Sequence, residues 1–240
     1  MIDIHTHILP GIDDGAKNLE ESLKMAREAW SIGIEVMVAT PHFLPGIDKV
    51  ERVSKALALL QRELEYHSIP LQLCGGGEVE ISGLVPGTWE KGDVPLLNFT
   101  EKPQAILVEF PFSGLPKGAE EVLYHLIKLG LTPILAHPER AMVSERELLR
   151  RMTPLVEEGV VFQIDAPSLV GLWGREIQER TRMLVEKGLC HIMASDCHGR
   201  KGLMPRMLTD ALPILERLVG EEKAQEMVWD TPLEILGIAV

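Results

Sequence analysis

Short runs of four to six apolar residues alternate along this chain with longer stretches whose apolar positions recur at helical spacing. One phrase recurs: an amphipathic helix, a glycine, an apolar run, then a polar residue of metal-binding type. Ser31-Ile32-Gly33 leads through Ile34–Ala39 to Thr40-Pro41-His42, and Lys128-Leu129-Gly130 leads through Pro133–Ala136 to His137-Pro138-Glu139-Arg140. Glu158-Gly159 leads through Val160–Phe162 to Gln163 and Asp165, and Lys187-Gly188 through Ile192–Ala194 to Ser195-Asp196-Cys197-His198. A glycine just past a helix takes the left-handed conformation that closes it. An almost wholly apolar run after it predicts a strand covered on both faces, the mark of a parallel sheet. Helix starts are predicted where Asn18 precedes Glu21, Asp48 precedes Glu51 and Ser144 precedes Glu147, the spacing of an N-cap and its N3 partner. In the first helix Leu19, Leu23, Ala26 and Trp30 form one apolar stripe.

Seven strands are predicted: Ile2–His5, Ile34–Ala39, Leu71–Cys74, Ala105–Glu109, Thr132–Ala136, Val160–Ile164 and His191–Ala194. Alternation of strand and helix implies right-handed crossovers in an α/β fold. Polar residues end strand after strand, which favours a (β/α) barrel with its site at the carboxyl ends over an open sheet with one switch point. The stretch Val79–Gln104 breaks the rhythm and reads as an irregular connection over the mouth of the site.

Composition adds limits. At 240 residues, with 45% apolar and 25% charged residues and no linker-like segment, the chain reads as one domain over residues 1–240. Lys and Arg number 24 against 36 Asp and Glu, a formal charge of −12, without the basic stripe of a nucleic-acid binder. The surplus acid suits a solvated surface, and part of it could be carboxylates held around cations. Cys74, Cys190 and Cys197 have no zinc-ribbon or Cys-x-x-Cys spacing and suit a reducing compartment. The start Met1-Ile2-Asp3-Ile4-His5 has no signal-peptide pattern and no apolar run is membrane-length, so a cytoplasmic protein without membrane insertion is expected.

The polar strand ends then carry the chemistry. His5 and His7, two apart, can reach one ion. Asp13 and Asp14 follow in Leu9-Pro10-Gly11-Ile12-Asp13-Asp14-Gly15, where turn chemistry and metal ligation are both open to them. His42 ends the second strand. Glu78 ends the third after Gly75-Gly76-Gly77, with Glu80 as its rival two residues on. Glu109 closes an apolar run, where a carboxylate needs a partner. His137, Asp196 and His198 complete the set, whereas His67, His125 and His191 read as structural or solvent-facing. Imidazole and carboxylate without thiolate suit Mn, Fe or Zn, and neighbouring ions can activate a water for in-line displacement at phosphorus. Arg140, Arg200, Lys201 and Arg206 are the candidate cations to hold a phosphate.

The motifs together resemble the PHP (polymerase and histidinol phosphatase) superfamily. They are most similar to the bacterial manganese-dependent tyrosine phosphatases of capsular and exopolysaccharide synthesis. The matching pieces run in order from Asp3-Ile4-His5-Thr6-His7-Ile8-Leu9-Pro10-Gly11-Ile12-Asp13-Asp14-Gly15 through Ala39-Thr40-Pro41-His42, Gly77-Glu78-Val79, Glu109-Phe110 and Ala136-His137-Pro138-Glu139-Arg140. They continue through Gln163, Ser168-Leu169-Val170-Gly171 and Ser195-Asp196-Cys197-His198 to Thr231-Pro232-Leu233-Glu234-Ile235-Leu236. The resemblance implies a distorted (β/α)7 barrel, TIM-like, holding three ions, most often Mn2+. His5, His7, Glu78 and Asp196 would hold one. Glu78, Glu109 and His137 would hold the second, and Asp14, His42 and His198 the third. The implied substrate is phosphotyrosine on a protein, typically a bacterial tyrosine kinase. One departure stands out: where the family has Arg after the glycine beyond Asp-x-His, this chain has Leu203 after Gly202, which leaves Arg200 or Arg206 as a substitute in space or, if neither serves, a substrate affinity or choice different from the family's.

The expected roles follow. Arg140 stabilises charge on the phosphoryl group, and His42 or a bound water protonates the phenol, a leaving group with a pKa of about 10. No Cys-x5-Arg occurs, which disfavours a thiolate route. A PHP phosphatase acting on a small phosphoester such as histidinol phosphate shares every ligand, and a non-catalytic metal-stabilised partner is the alternative from another class.

Overall fold

The structure, a computed structural model, describes residues 1–84, 94–97, 104–111, 113–200 and 203–238. All seven predicted strands form: β1 (Ile2–Thr6), β2 (Val36–Ala39), β4 (Gln72–Gly75), β6 (Ala105–Glu109), β7 (Thr132–Ala136), β8 (Val161–Asp165) and β9 (Ile192–Ala194). Two short strands join them, β3 (His42–Phe43) and β5 (Glu78–Glu80). Pairing is parallel throughout, in the orders β1-β2-β4 and β3-β5-β6-β7-β8-β9.

β3 and β5 continue the lines of β2 and β4 after breaks at Thr40-Pro41 and Gly76-Gly77. Pro41 has no N–H to give a ladder, yet its carbonyl still accepts from Glu78 N at 2.9 Å. At the other edge Asp196 N donates to His5 O (3.0 Å) and His7 N to Cys197 O (2.9 Å), tying the end of β9 to the end of β1.

The strands are apolar on both faces because both faces are covered. Ile2, Ile4, Val36, Val38, Leu107, Ile134 and Ile192 form one buried cluster, onto which Ile235 and Leu236 pack from α9 (Thr231–Leu236). Alternate residues such as Met37, Ile106, Leu135, Phe162 and Met193 join a second cluster with the helices. These helices are α1 (Leu19–Ser31), α2 (Val50–Tyr66), α3 (Ala119–Lys128), α4 (Glu145–Glu157), α5 (Ala166–Val170), α6 (Arg175–Glu186), α7 (Met207–Val219) and α8 (Glu221–Gln225). Burial of each large apolar side chain contributes about 1.5–3 kcal/mol. No helix among the described residues is long and apolar enough to cross a membrane.

The helix signals hold where the side chains are free to act. Gly33, Gly130, Gly159 and Gly188 all take positive φ (85°, 75°, 97° and 68°) after their helices. Asn18 and Ser144 accept from Glu21 N and Glu147 N as N-caps. Asp48 does not cap α2: its Oδ2 accepts from Leu44 N at 2.8 Å, closing its own turn, and the helix starts after Lys49. Trp30 departs from the expected stripe. It is 42% exposed, because the buried face of α1 runs through Ser22, Met25 and Ala29 beside Leu23 and Ala26. The stretch Val79–Gln104 opens with β5 and a 3-10 turn (Ile81–Gly83). Pro95 and Leu97 lie where Cβ atoms on Gly77 and Gly76 would stand, 2.3 and 2.6 Å away. Residues 85–93 and 98–103 of the stretch lie outside the described residues.

Candidate metal centre

The carboxyl ends of the strands carry one polar cluster. His5 and His7 are fully buried, and their Nε2 atoms face each other at 3.3 Å. Asp196 Oδ1 lies 3.4 Å from His5 Nε2 and 3.2 Å from His7 Nε2, and Glu78 offers Oε1 to His5 (3.3 Å) and Oε2 to His7 (3.5 Å). Donors each about 2.1 Å from a shared ion stand about 3.0–3.4 Å apart, so this spacing fits one.

The outward nitrogens are already engaged. His5 Nδ1 bonds Gln163 Oε1 (2.9 Å) and His7 Nδ1 bonds Asp13 Oδ2 (2.7 Å). Both rings therefore hold a proton on Nδ1 and turn Nε2 inward, the nitrogen by which such a histidine can ligate a metal. His198 gives Nδ1 to the Asp196 carbonyl (2.8 Å), which leaves Nε2 near Asp14 Oδ1 (3.3 Å). Asp13 and Asp14 thus divide the two roles open to them. Asp13 also accepts from Gly15 N and His42 N and braces the turn, while Asp14, half exposed, reaches the cluster at its mouth.

Glu78 rather than Glu80 enters the centre. It is 1% exposed, with Oε1 2.7 Å from His137 Nε2 and Oε2 2.9 Å from His42 Nδ1. Glu80 instead accepts from the Ser82 hydroxyl. Glu109 lies 3.3 Å from His42 Nδ1. The groups that can share an ion are His5, His7 and Asp196; His5, Glu78 and His137; His42, Glu78 and Glu109; His7, Asp14, His42 and His198; and His137, Asp165 and Asp196. All nine expected ligands are brought together, with two differences from the expected partition. Glu109 groups with His42 rather than His137, because His42 straddles, giving Nδ1 to the two glutamates and Nε2 to Asp14. Asp165, a polar strand end of β8 outside the expected ligand set, joins the cluster. His67 at the end of α2, His125 within α3 and His191, whose Nδ1 accepts from Phe162 N at the start of β9, stay outside it.

Two of the expected ligands sit on strained backbone: His137 and Asp196 have φ of 32° and 47°. Non-glycine residues hold such conformations where surrounding structure imposes them, often at functional sites. The electrostatics are those of anions seeking cations. Burial alone would raise the Glu78 carboxyl, but the imidazoles of His5, His137 and His42 hold it well below its usual range. Burial alone would lower His42, but Glu109 and Glu78 lift it to about 10. In such a site protons and metal ions compete for the same nitrogens.

A cavity of about 140 Å³ opens onto this cluster, lined also by Arg140, Trp173, Arg200 and Leu203. Arg140 Nη1 donates to Asp165 Oδ2 (3.0 Å) and Asp196 Oδ2 (2.8 Å), and its guanidinium lies 4.9 Å from the Trp173 ring centre. Arg200 Nη2 donates to Asp14 Oδ2 (2.6 Å). Arg206, expected as its equal, is off the site: its Nη1 pairs with Glu28 Oε1 of α1 at 3.0 Å. Lys201 and Gly202 lie outside the described residues. Trp173 had no signal in the sequence beyond its type.

A family model for capsular polysaccharide synthesis, CpsB/CapC, matches residues 1–237. The tyrosine-protein phosphatase YwqE of Bacillus subtilis is 40% identical over 224 residues, 92% of this chain and 86% of that one. The tyrosine-protein phosphatase CpsB of Streptococcus agalactiae serotype V is 30% identical over 98% of both chains. A solved chain from crystal structures of YwqE of Bacillus subtilis and CpsB of Streptococcus pneumoniae, unique metal-dependent tyrosine phosphatases, matches with TM-score 0.86 and 36% identity, over 100% of this chain and 96% of that one. This chain belongs to the CpsB/CapC family of capsular polysaccharide synthesis.

Proposed function

We propose that residues 1–240 form a single metal-dependent phosphatase domain that hydrolyses phosphotyrosine in proteins, its substrate a bacterial tyrosine kinase that governs capsular or exopolysaccharide synthesis. The observation that carries this reading is the convergence of nine His, Asp and Glu side chains in overlapping groups that could each share an ion, six of them lining one cavity with Arg140. Likeness along the whole chain to tyrosine-protein phosphatases supports the choice of substrate. The two parallel sheets read as one distorted (β/α)7 barrel, supported by β3 and β5 continuing β2 and β4 and by the bonds from β9 to β1. The acidic balance speaks against a nucleic-acid partner, and the free Cys74, Cys190 and Cys197 support a reducing, cytoplasmic setting.

The donor set fits metal ions. Two imidazole Nε2 atoms facing each other at 3.3 Å, with carboxylate oxygens around them, make a donor set that suits a cation in place of protons. In this reading three ions, manganese before iron or zinc, take the ligand sets His5, His7, Glu78 and Asp196; Glu78, Glu109 and His137, where Glu109 also approaches His42; and Asp14, His42 and His198. When bound, such ions lower the pKa of a water and neutralise charge on the phosphoryl group. Arg140, held by two carboxylates at the wall of the cavity, places its positive charge beside the phosphoryl oxygens, where charge develops. Arg200 takes the phosphate-binding place left by Leu203, since it lines the cavity while Arg206 does not. Trp173 and Leu203 offer apolar wall to a phenyl ring. His42, with Nε2 toward Asp14 and the ion, keeps a proton on Nδ1 beside Glu78 and Glu109, and this N–H or a bound water supplies the proton to the departing phenolate.

Rates on a phosphotyrosine peptide and on histidinol phosphate, measured side by side, test the reading. A preference for the peptide supports it, and a preference for the small ester moves the substrate to the other PHP class.

A further inference from the structure

Asp165 has no part in the expected ligand set, yet it is fully buried at the heart of the site. Its Oδ2 accepts from Arg140 Nη1 (3.0 Å) and its Oδ1 from Gln163 Nε2 (2.9 Å), while its own backbone N–H donates to Glu139 Oε1 (3.0 Å). Gln163 Oε1 in turn lies 2.9 Å from His5 Nδ1. A carboxylate only accepts and a guanidinium only donates, so the direction of each bond along this line is forced. Because Asp165 takes the amide N–H of Gln163, the amide oxygen must face His5. His5 then donates from Nδ1 and keeps the lone pair of Nε2 for the centre.

We infer that Asp165 is a positioning residue: through Gln163 it sets which nitrogen of His5 faces the metal centre, and at the same time it holds Arg140 beside that centre. The inference rests on the reading of His5 as a metal ligand. It also predicts an asymmetry. In Asp165→Asn, Arg140 cannot accept from an amide N–H, so the Asn oxygen stays on Arg140 and its NH2 faces Gln163. Gln163 must then rotate by half a turn and present its own NH2 to His5 Nδ1. That forces the His5 proton onto Nε2, where it blocks ligation. Adding Gln163→Glu reverses this. One Glu oxygen accepts from the Asn NH2 and the other from His5 Nδ1, with the same number of buried carboxylates as before.

The test is calorimetric titration of MnCl2 into the EDTA-stripped full chain, with circular dichroism to check folding. D165N is expected to lose about 10–100-fold in Mn2+ affinity, the usual effect of removing an outer-shell partner. Its KM for a phosphotyrosine peptide at saturating Mn2+ should stay near that of the parent, because Arg140 keeps its anchor. D165N/Q163E should return to within about twofold of the parent Mn2+ affinity. A purely structural role for Asp165 would not be repaired by moving the carboxylate two residues along the strand. Parent-like Mn2+ binding by D165N, or a double variant no tighter than D165N, overturns the inference and leaves the phosphatase reading in place. Absence of Mn2+ binding by the parent chain overturns both. If D165N does not fold, Gln163→Met, which removes the acceptor and leaves Asp165 on Arg140, carries the same expected loss, and parent-like binding by it overturns the inference.

Discussion

Gly15 has ordinary φ but no room for a side chain, and this makes it a test of how tightly the centre is held. A Cβ at this position would stand 2.1 Å from His7 O and 2.5 Å from His7 Cβ. Opening the first contact to 3.0 Å, the least that real Cβ atoms show, moves the His7 backbone or the turn by 0.9 Å. The bond from Ala16 N to His7 O (3.0 Å) and that from Gly15 N to Asp13 Oδ1 (2.9 Å) resist the turn moving alone. His7 therefore takes much of the shift, against a tolerance of about 0.2 Å for a metal ligand. A misplacement near 1 Å costs about 100-fold in rate, while overpacking costs about 1–3 kcal/mol of stability. Gly15→Ala is thus expected to fold with a modestly lower Tm, to bind less Mn2+ per chain and to lose about 100-fold in kcat/KM on a phosphotyrosine peptide. Normal metal content with kcat/KM close to that of the parent would refute the reasoning that the turn is packed to hold His7.

Other predictions separate the residues by role. Arg200→Ala should raise KM for a phosphopeptide about 10-fold or more, a charged hydrogen bond being worth about 1.5–3 kcal/mol, whereas Arg206→Ala should stay within about twofold because it touches only Glu28; equal losses would return Arg206 to the site. Cys197 is fully buried and burial pushes its thiol well up, so Cys197→Ser should keep kcat while losing about 1–3 kcal/mol of stability; loss of turnover in a folded variant would revive a thiolate route. Burial, then Lys223, lowers the pKa of His191, whose neutral Nδ1 accepts from Phe162 N. Its folded pKa lies below the unfolded value, so its contribution is present above about pH 6.5 and is lost as pH falls through the folded pKa. His191→Asn should accordingly narrow the Tm difference between neutral and acid pH in EDTA-stripped protein, and an unchanged difference would contradict this.

The seven predicted strands were legible because parallel strands covered on both faces need almost wholly apolar runs, as in Ala105–Val108 and Ile192–Ala194. β3 and β5 were not, since two or three residues beyond a proline or a glycine pair carry no periodicity. That same shortness left Glu78 and Glu80 undecided: residues two apart share a face, and only the pairing of His42 with Glu78 brings one of them into the centre. Ligand types at strand ends gave the cluster, but not its partition, because His42 has two nitrogens and uses both. Asp165 was visible as a polar strand end, yet its role depends on Gln163 and Arg140, which tertiary packing alone brings to it. Arg200 and Arg206 were equivalent in sequence, and the turn in which Leu203 N donates to Arg200 O separates them.

The central claim is that this centre hydrolyses phosphotyrosine with metal ions. Its most direct test is the rate of phosphate release from a phosphotyrosine peptide by EDTA-stripped protein, before and after addition of manganese. The account predicts almost no turnover without metal and restoration on adding manganese. Full activity in the stripped protein would contradict it, as would a metal-loaded protein that leaves the peptide intact.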